Sequence, residues 1–322
     1  MHKYFPLLLV LLLFSCTDFV ENQHAPEPES AHAAEVLTAT QSLYSSTDMP
    51  GLTTTVSEYS VSAAFDKLDE TVTNNPNLRV ILRLDHSGNA AANGLDLRPT
   101  KLLVFGNPNL GTPLMQRNQF TGLDLPQKVL FYEKEDGTVL ARYNSVEYLA
   151  SRHGLHGAPQ LDIIRGALQG LVEGATGGEV QDANPNQIDF RQGIEKRRSA
   201  FSFEETYSRL RDAIDTNPNL RIVTEIDHAA NAAGAGLELN PTRLIIFGNP
   251  LVGTPFMQAQ QSIGIDLPQK MLVIEDEEGK VQVAFNSINW LARHRHGISE
   301  EDARIQAVTN ALRGLARTAT TR

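Results

Sequence analysis

The sequence is an internal duplication. Every residue of segments 105–108 (Phe-Gly-Asn-Pro), 111–113 (Gly-Thr-Pro) and 125–128 (Leu-Pro-Gln-Lys) recurs 142 positions later. Between residues 99 and 128 roughly two thirds of the positions are identical in the second copy without a gap, which is more than a shared fold alone preserves. Each copy has about 140 residues, enough to bury its own core. The sequence therefore predicts two related domains rather than a solenoid.

The N-terminus has the pattern of an export signal. Lys3 precedes an apolar run over residues 7–14, which suits the core of a signal peptide and is too short to span a bilayer stably. The run ends at Leu-Phe-Ser-Cys16, which resembles a bacterial lipobox, where the cysteine is lipidated and becomes the mature N-terminus. We expect a lipoprotein signal peptide over residues 1–16 and a lipid anchor on Cys16, which would hold the protein on the extracytoplasmic side of the bacterial envelope. An uncleaved anchor helix is the alternative.

Charge and cysteine content exclude several classes of function. The formal charge is −10, whereas a nucleic-acid partner requires a basic surface. Cys16 is the only cysteine, so the folded part has no disulfide, no thiolate nucleophile and no cysteine-ligated metal.

Composition divides the rest of the chain. Residues 17–50 are rich in Ala, Glu, Pro, Ser and Thr and are expected to form a flexible tether. The first domain is assigned to residues 51–174 and the second to residues 188–322. A Gly-, Asn- and Asp-rich linker at residues 175–187 joins them. The two domains are expected to fold separately.

Each copy shows the same order of elements: strand, helix, four strands and a long C-terminal helix. Ser60 and Ser202 are suited to cap the first helix of their copies, and Gly94 and Gly236 suit a left-handed helix end. Hairpins dominate and no βαβ series occurs. The expected fold class is therefore α+β, with a largely antiparallel sheet and helices on one face.

These residues resemble a known family. The run Phe-Gly-Asn-Pro-x-x-Gly-Thr-Pro-x-Met-Gln, the later Asp-Leu-Pro-x-Lys and the earlier Asp-His followed by alanines are similar to DUF302, a bacterial and archaeal domain of unknown function. The resemblance covers nearly all of both copies. It implies a β-α-β4-α fold like that of the TATA-binding protein, in tandem duplication. The family has no established reaction, and the DNA role of the TATA-binding protein does not transfer on fold alone.

His86 and His228 are the candidates for reactivity, since each follows an aspartate at a strand end and imidazole titrates near neutral pH. Each would act as a general base or as a metal ligand oriented by a neighbouring residue. Alternatively, each caps the short helix or bonds to a loop. We expect each histidine to lie beside the Gly-Asn-Pro turn of its own copy, at the rim of a partly exposed pocket.

The Gly-Asn-Pro turn and the lysine that follows it supply the other candidates. Glycine turns before a helix can present N–H groups to an anion, and Lys128 or Lys270 would add positive charge to the same pocket. A strained turn that needs a positive φ at glycine, together with a surface lysine paired to Asp124 or Asp266, is the structural alternative. The candidate ligand-binding residues are His86, Asn107, Thr112, Lys128, His228, Asn249, Thr254 and Lys270.

The sequence favours a noncatalytic role. We expect a lipid-anchored envelope protein that binds a small ligand or another envelope protein, without a cofactor, a metal or a nucleic-acid partner. The alternative is a hydrolase or lyase in which the repeated Asp-His pair acts with Asn107 and Asn249 as carbonyl or oxyanion partners.

Overall fold

The computed structural model describes residues 49–181, 188–299 and 301–322. The signal peptide, Cys16, nearly all of the tether and residues 182–187 of the linker lie outside these ranges. Their assignments stay predictions.

Copy one builds a five-stranded sheet with two long helices and several short ones. Its elements are β1 (Leu52–Ser57), α1 (Val61–Asn74), β2 (Arg79–Asp85), α2 (His86–Ala91), β3 (Thr100–Gly106), α3 (Pro108–Arg117), a 3₁₀ helix (Gln119–Leu123), β4 (Gln127–Glu133), β5 (Val139–Asn144), α4 (Val146–His153) and α5 (Gln160–Thr176).

Copy two repeats this order with one change, a π-helix in the place of α4. Its elements are β6 (Ile194–Arg198), α6 (Phe203–Asp215), β7 (Arg221–Asp227), α7 (His228–Gly234), β8 (Thr242–Gly248), α8 (Pro250–Ala259), a 3₁₀ helix (Gln261–Ile265), β9 (Gln269–Glu275), β10 (Val281–Asn286), the π-helix (Trp290–Arg295) and α9 (Ala303–Thr320).

Both sheets are antiparallel, with strand orders β1-β5-β4-β3-β2 and β6-β10-β9-β8-β7. The predicted α+β class and the β-α-β4-α order are confirmed, with short helices inserted between the strands. The predicted helix caps and left-handed helix ends are present. Ser60 and Ser202 accept hydrogen bonds from the backbone at the starts of α1 and α6, and Gly94 and Gly236 have φ of 71° and 72°.

The two faces of each sheet are covered by different parts of the chain. In copy one, Leu103 and Phe131 pack under α1 and α5 in the main core. Because successive residues of a strand point to opposite faces, Leu102 and Leu130 lie on the other face, where they pack with Ile265 from the 3₁₀ helix of copy two. The sheet of copy two is covered in the same way by Phe120 and Leu123 of copy one.

The copies thus share cores and form one compact unit. Reciprocal hydrogen bonds join them: Nε2 of Gln116 donates to the carbonyl of Glu238 and Nε2 of Gln258 to the carbonyl of Asp96, both at 2.6 Å. This is the pattern of an isologous dimer interface within one chain. The packing conflicts with the expectation that the domains fold separately, because one face of each sheet is buried by the other copy.

Within the ranges that the structure describes, no helix combines the length and the apolar character needed to cross a membrane.

Candidate functional site

The repeated Asp-His pairs lie where a strand passes into a short helix. Oδ1 of Asp85 accepts a hydrogen bond from the backbone N–H of Gly88 at 2.7 Å, and Oδ1 of Asp227 accepts one from Ala230 at 2.8 Å. Aspartate is a favoured N-cap. Each carboxylate is therefore engaged with the helix backbone, and the helix begins at the histidine.

Both imidazoles reach into the other copy. Nε2 of His86 lies 3.1 Å from the carbonyl oxygen of Gly264, in the 3₁₀ helix of copy two, so this nitrogen carries the proton. His228 lies against Gly122 of copy one, where a Cβ would be 3.4 Å from Nε2. That nitrogen has no hydrogen bond of standard geometry within the described residues.

The histidines are buried, at 5% and 4% exposed for His86 and His228. Burial lowers the pKa of each imidazole to about 4, against the opposing effects of a backbone carbonyl and the preceding aspartate. Both rings are neutral at neutral pH. The expectation of a partly exposed imidazole at a pocket rim is wrong, because the copy-to-copy contact covers it.

The Gly-Asn-Pro turn is shaped by its close approach to a proline. A Cβ on Gly106 would lie 3.1 Å from Cβ of Pro126, and one on Gly248 would lie 3.2 Å from Cβ of Pro268. Neither glycine has a positive φ. The alternative based on positive φ is therefore wrong, and close packing is the reason that a residue without Cβ suits this position.

Asn107 and Asn249 cap the helices that follow the turns. Their Oδ1 atoms accept hydrogen bonds from the backbone N–H of Asn109 and Leu251, both at 2.9 Å. The prolines that follow occupy the first helical position, where the missing N–H costs nothing. These asparagines have a structural function that accounts for their repetition.

Each turn nevertheless lies at a pocket that both copies build. A pocket of about 90 Å³ is lined by Asn107 and Thr112 of copy one together with His228. A second, of about 850 Å³, is lined by Asn249 and Thr254 of copy two together with His86. The histidine and the turn do meet, but across the copies. The expected arrangement within one copy is wrong.

Two buried hydroxyls lie in these pockets. Thr112 and Thr254 are each 1% exposed, and neither Oγ1 has a hydrogen-bond partner in the described part of the chain. A buried hydroxyl without a partner costs about 1–3 kcal/mol. Each of these hydroxyls is therefore a buried polar atom, without a partner among the described residues, beside a largely apolar pocket.

Lys128 and Lys270 line neither of these pockets. Each is 5% exposed and belongs to a buried group of polar side chains that we call the central cluster. The prediction that the lysines add charge to the pocket at the turn is wrong, and so is the alternative of a surface lysine. The cluster comprises Asp124, Lys128, Asn144, Tyr148, Arg152 and His153 of copy one with Asp266, Lys270, Asn286, Arg295 and His296 of copy two.

Two arginines connect the copies at this cluster. Arg152 donates from Nη1 to Oδ2 of Asp124 at 2.7 Å and from Nη2 to Oδ1 of Asn286 at 2.8 Å. Arg295 donates to Oδ2 of Asp266 at 3.0 Å and to Oδ1 of Asn144. Each guanidinium therefore binds the aspartate of its own copy and the asparagine of the other.

Tyr148 and two histidines complete the network. The hydroxyl oxygen of Tyr148 accepts hydrogen bonds from Arg152 at 2.7 Å and from Arg295 at 3.1 Å. Nε2 of His153 and of His296 lies 2.7 Å and 2.9 Å from its aspartate. All these side chains are buried, so the network is enclosed by both copies.

The charges of the cluster perturb one another strongly. Burial alone would raise the pKa of Asp124 and Asp266, but the adjacent arginine and histidine outweigh it and hold both well below the usual range. Burial and, to a smaller extent, Lys128 lower the pKa of Lys270 to about 7, against the opposing effect of the two aspartates. Burial also lowers the pKa of Lys128. The carboxylates stay ionised, whereas the lysines lose protons more readily than in water.

The repeat spacing does not identify the arginine and histidine that each copy contributes to the cluster. A constant spacing of 142 aligns Arg152 with His294, although the true counterpart is Arg295. The π-helix Trp290–Arg295 accommodates one extra residue, and such insertions are frequent at functional sites. The signal was the tripeptide Arg-His-Gly at residues 152–154 and again at 295–297.

Among the residues described, no group of three or more His, Cys, Asp or Glu side chains is placed to hold a metal ion.

Comparison with known proteins shows what the chain is similar to. The family model described as "Domain of unknown function DUF302" matches residues 52–173 and again residues 195–318. A crystal structure of an uncharacterized conserved DUF302 protein from Bacillus stearothermophilus is 19% identical, with a TM-score of 0.32, over 39% of this chain and 96% of that one.

Two curated Brucella proteins match part of the chain. The fluoride-specific ion channels FluC 1 of Brucella suis biovar 1 and FluC 2 of Brucella melitensis biotype 1 are each 44% identical over 112 residues, which is 34% of this chain. The matched part is 44% and 41% of those proteins. The chain thus spans less than half the length of these relatives.

Proposed function

We propose that this chain, which belongs to the DUF302 family, is a noncatalytic binding protein, held at the bacterial envelope by a lipid on Cys16. The larger pocket is the binding site. Its ligand is a small amphipathic molecule with an apolar body and an anionic head.

The size and construction of the larger pocket carry this proposal. Its volume of about 850 Å³ falls in the range of about 300–1,000 Å³ typical of small-molecule sites. Ala311, Leu312 and Leu315 of α9 supply an apolar wall. His86 and Thr254 add polar groups from opposite copies. An apolar pocket with a few polar positions is the usual form of a ligand site.

The corresponding pocket of copy one is narrower for a reason visible in the sequence. Three lining positions of copy one carry a larger side chain than their counterparts in copy two, and the larger pocket also extends further along α9 and towards α6. The pairs are Ile81 with Val223, Leu110 with Val252 and Ile164 with Val308.

Charge supports an anionic head. Arg221 and Arg317 line the larger pocket, and its lining includes no aspartate or glutamate. Both arginines are exposed, and neither makes an ion pair with another described residue. In a chain of formal charge −10, a pocket with only positive charges favours a carboxylate or phosphate at its mouth.

The geometry gives less support to a hydrolase or lyase. A general base must be accessible and have a pKa near the working pH, whereas His86 is 5% exposed and its pKa is about 4. Its Nε2–H is already bonded to the carbonyl of Gly264. An imidazole held in this way suits a wall of a binding pocket better than proton transfer.

We expect Ala311→Phe to weaken binding of a medium-chain fatty acid by about tenfold or more, because the ring would occupy the pocket. Ala167→Phe, at the corresponding position of copy one, is the matched control and should bind like the wild type. Both alanines are exposed, so both variants should fold. Titration calorimetry with decanoate and with decanol measures the binding affinity of each variant. Arg317→Gln should weaken the binding of decanoate but not the binding of decanol. An equal loss of binding affinity in the Ala311 and Ala167 variants would contradict the proposal.

The envelope location has its own test. The apolar run that ends at Cys16 is expected to direct lipidation, so palmitate labelling of the full-length precursor in cells should be lost in Cys16→Ala, with the protein released from the membrane fraction or left unprocessed. Labelling that persists in the variant would contradict the anchor.

A further inference from the structure

The central cluster has more positive than negative groups. Both copies enclose it, so this excess of positive groups is buried. Apart from Tyr148 and the two histidines, its ionisable groups are the carboxylates of Asp124 and Asp266, the guanidiniums of Arg152 and Arg295, and the ammonium groups of Lys128 and Lys270. All six residues are at most 5% exposed. Burying uncompensated charge is strongly unfavourable, so the two lysines must either lose protons or meet an anion.

Four N–H donors in or beside this network have no acceptor. Within the described residues no hydrogen-bond partner is present for Nζ of Lys128, Nε of Arg295 or the Nδ2 atoms of Asn144 and Asn286. Each of these residues is at least nine-tenths buried. Unpaired donors of this number in one enclosed cluster are uncommon, since buried polar groups are nearly always satisfied.

The unpaired donors belong to one connected structure. Asn144 is bound through Oδ1 to Arg295, and Asn286 is bound through Oδ1 to Arg152. The two arginines share the hydroxyl of Tyr148. Because each asparagine oxygen is held by a guanidinium, its amide group is fixed with the N–H side unpaired. Around the two asparagines the unpaired atoms are donors, which is the chemistry that recognises an anion, whereas Nδ1 of His153 is the one acceptor of the cluster left unpaired within the described residues.

We propose that the central cluster binds one small monovalent inorganic anion of halide size, at the boundary between the copies and separately from the amphipathic ligand. The anion accepts hydrogen bonds from Lys128 and from the amides of Asn144 and Asn286, and it offsets the excess positive charge. Burial is the main cause of the low pKa of Lys270, about 7, and the neighbouring Lys128 adds to it, which agrees with a cluster that has positive charge in excess. A large ligand is excluded because every contributing side chain is buried.

Thermal unfolding of the full chain tests this site. At constant ionic strength in sodium gluconate, replacement of gluconate by fluoride, chloride or bromide should raise Tm by several degrees and then saturate, since a ligand that binds only the folded state stabilises it by mass action. The response should depend on which halide is used, because the enclosed site selects by size.

Lys128→Met replaces the aliphatic part of the side chain and removes the charged ammonium group, and the saturable shift should disappear in this variant. Its Tm in gluconate should equal or exceed that of the wild type, because an apolar group can replace a buried charge without loss. Lys67→Met, at an exposed lysine of α1, is the control and should keep the shift.

Anomalous diffraction from a crystal grown in bromide locates the anion without using any variant. This test therefore also applies if Lys128→Met does not fold. Anomalous density within hydrogen-bond distance of Nζ of Lys128 would support the site. Water in that place, or a salt response that is linear and the same for every anion, would overturn it. A halide shift that persists in a folded Lys128→Met protein would also overturn it.

Discussion

Residues 49–181 produced without the second copy are expected not to fold cooperatively, and residues 188–322 alone should fail in the same way. Each fragment would expose the sheet face that the other copy covers. In copy one the uncovered apolar side chains are Leu52, Leu84, Leu102, Val104, Leu130, Tyr132 and Leu140.

The size of this loss exceeds the stability of an ordinary domain. Burial of one large apolar side chain contributes about 1.5–3 kcal/mol, so a face of this kind contributes on the order of 10 kcal/mol. A whole domain is stable by only about 5–15 kcal/mol. The fragments would also lose the partner asparagines of Arg152 and Arg295. Little or no net stability would remain.

The measurement is calorimetry and near-UV circular dichroism of each fragment, of the two fragments coexpressed, and of the intact chain. The intact chain should unfold in one transition, and coexpression should restore the fold because the interface is formed by side chains that need no covalent link. Two sharp transitions from separately expressed, monomeric fragments would show that the shared core is dispensable.

The second large effect is a steep loss of stability in mild acid. His86, His228 and His296 each have a pKa near 4 in the folded protein, against 6.5 for the free side chain. Between these values the unfolded chain binds protons that the folded chain excludes. The free energy of unfolding therefore falls as pH decreases from about 6.5 to about 4, and this contribution is fully present above about 6.5.

Each histidine contributes a slope of about 1.4 kcal/mol per pH unit, so the three together give about 4 kcal/mol per pH unit. The buried aspartates act in the same direction at lower pH, because their depressed pKa values stabilise the fold above the unfolded pKa of about 3.9. We expect acid unfolding to begin well above the titration range of free carboxylates.

Urea unfolding at pH 7, 6 and 5 measures the slope. The variant His86→Gln, His228→Gln should lower it by about 2.7 kcal/mol per pH unit, since glutamine donates hydrogen bonds without taking up a proton. His156→Gln, at an exposed position, should leave it unchanged. Parallel profiles for all three proteins would show that the buried imidazoles are protonated in the folded state.

Several features follow from the sequence because they depend on neighbouring residues. The duplication, the α+β element order and the antiparallel hairpins come from repeat spacing and local periodicity. The caps at Ser60 and Ser202 and the left-handed Gly94 and Gly236 come from residue types within one turn of chain. Such features can be predicted from the sequence because they depend on interactions between residues that are close in sequence.

The interpretation of the repeated polar residues failed where the contacts were long-range. His86 and Lys128 recur in the second copy as His228 and Lys270, and the sequence predicts for each pair a pocket within its own copy. The structure shows that Gln116 and His86 contact the other copy, over 122 and 178 positions of sequence. Their retention is explained by a reciprocal interface, in which each side chain and its repeat make equivalent contacts.

Sequence alone thus determined that there are two copies, their fold and the residues that do not vary between them. Tertiary structure decided how these residues pair: His86 with the turn at Asn249, His228 with the turn at Asn107, and Arg152 with Asn286. The physical reason is that a repeat spacing records what each copy contains but not which surface it buries. Which face of each sheet the other copy buries, and which residues meet there, is set by packing between the copies.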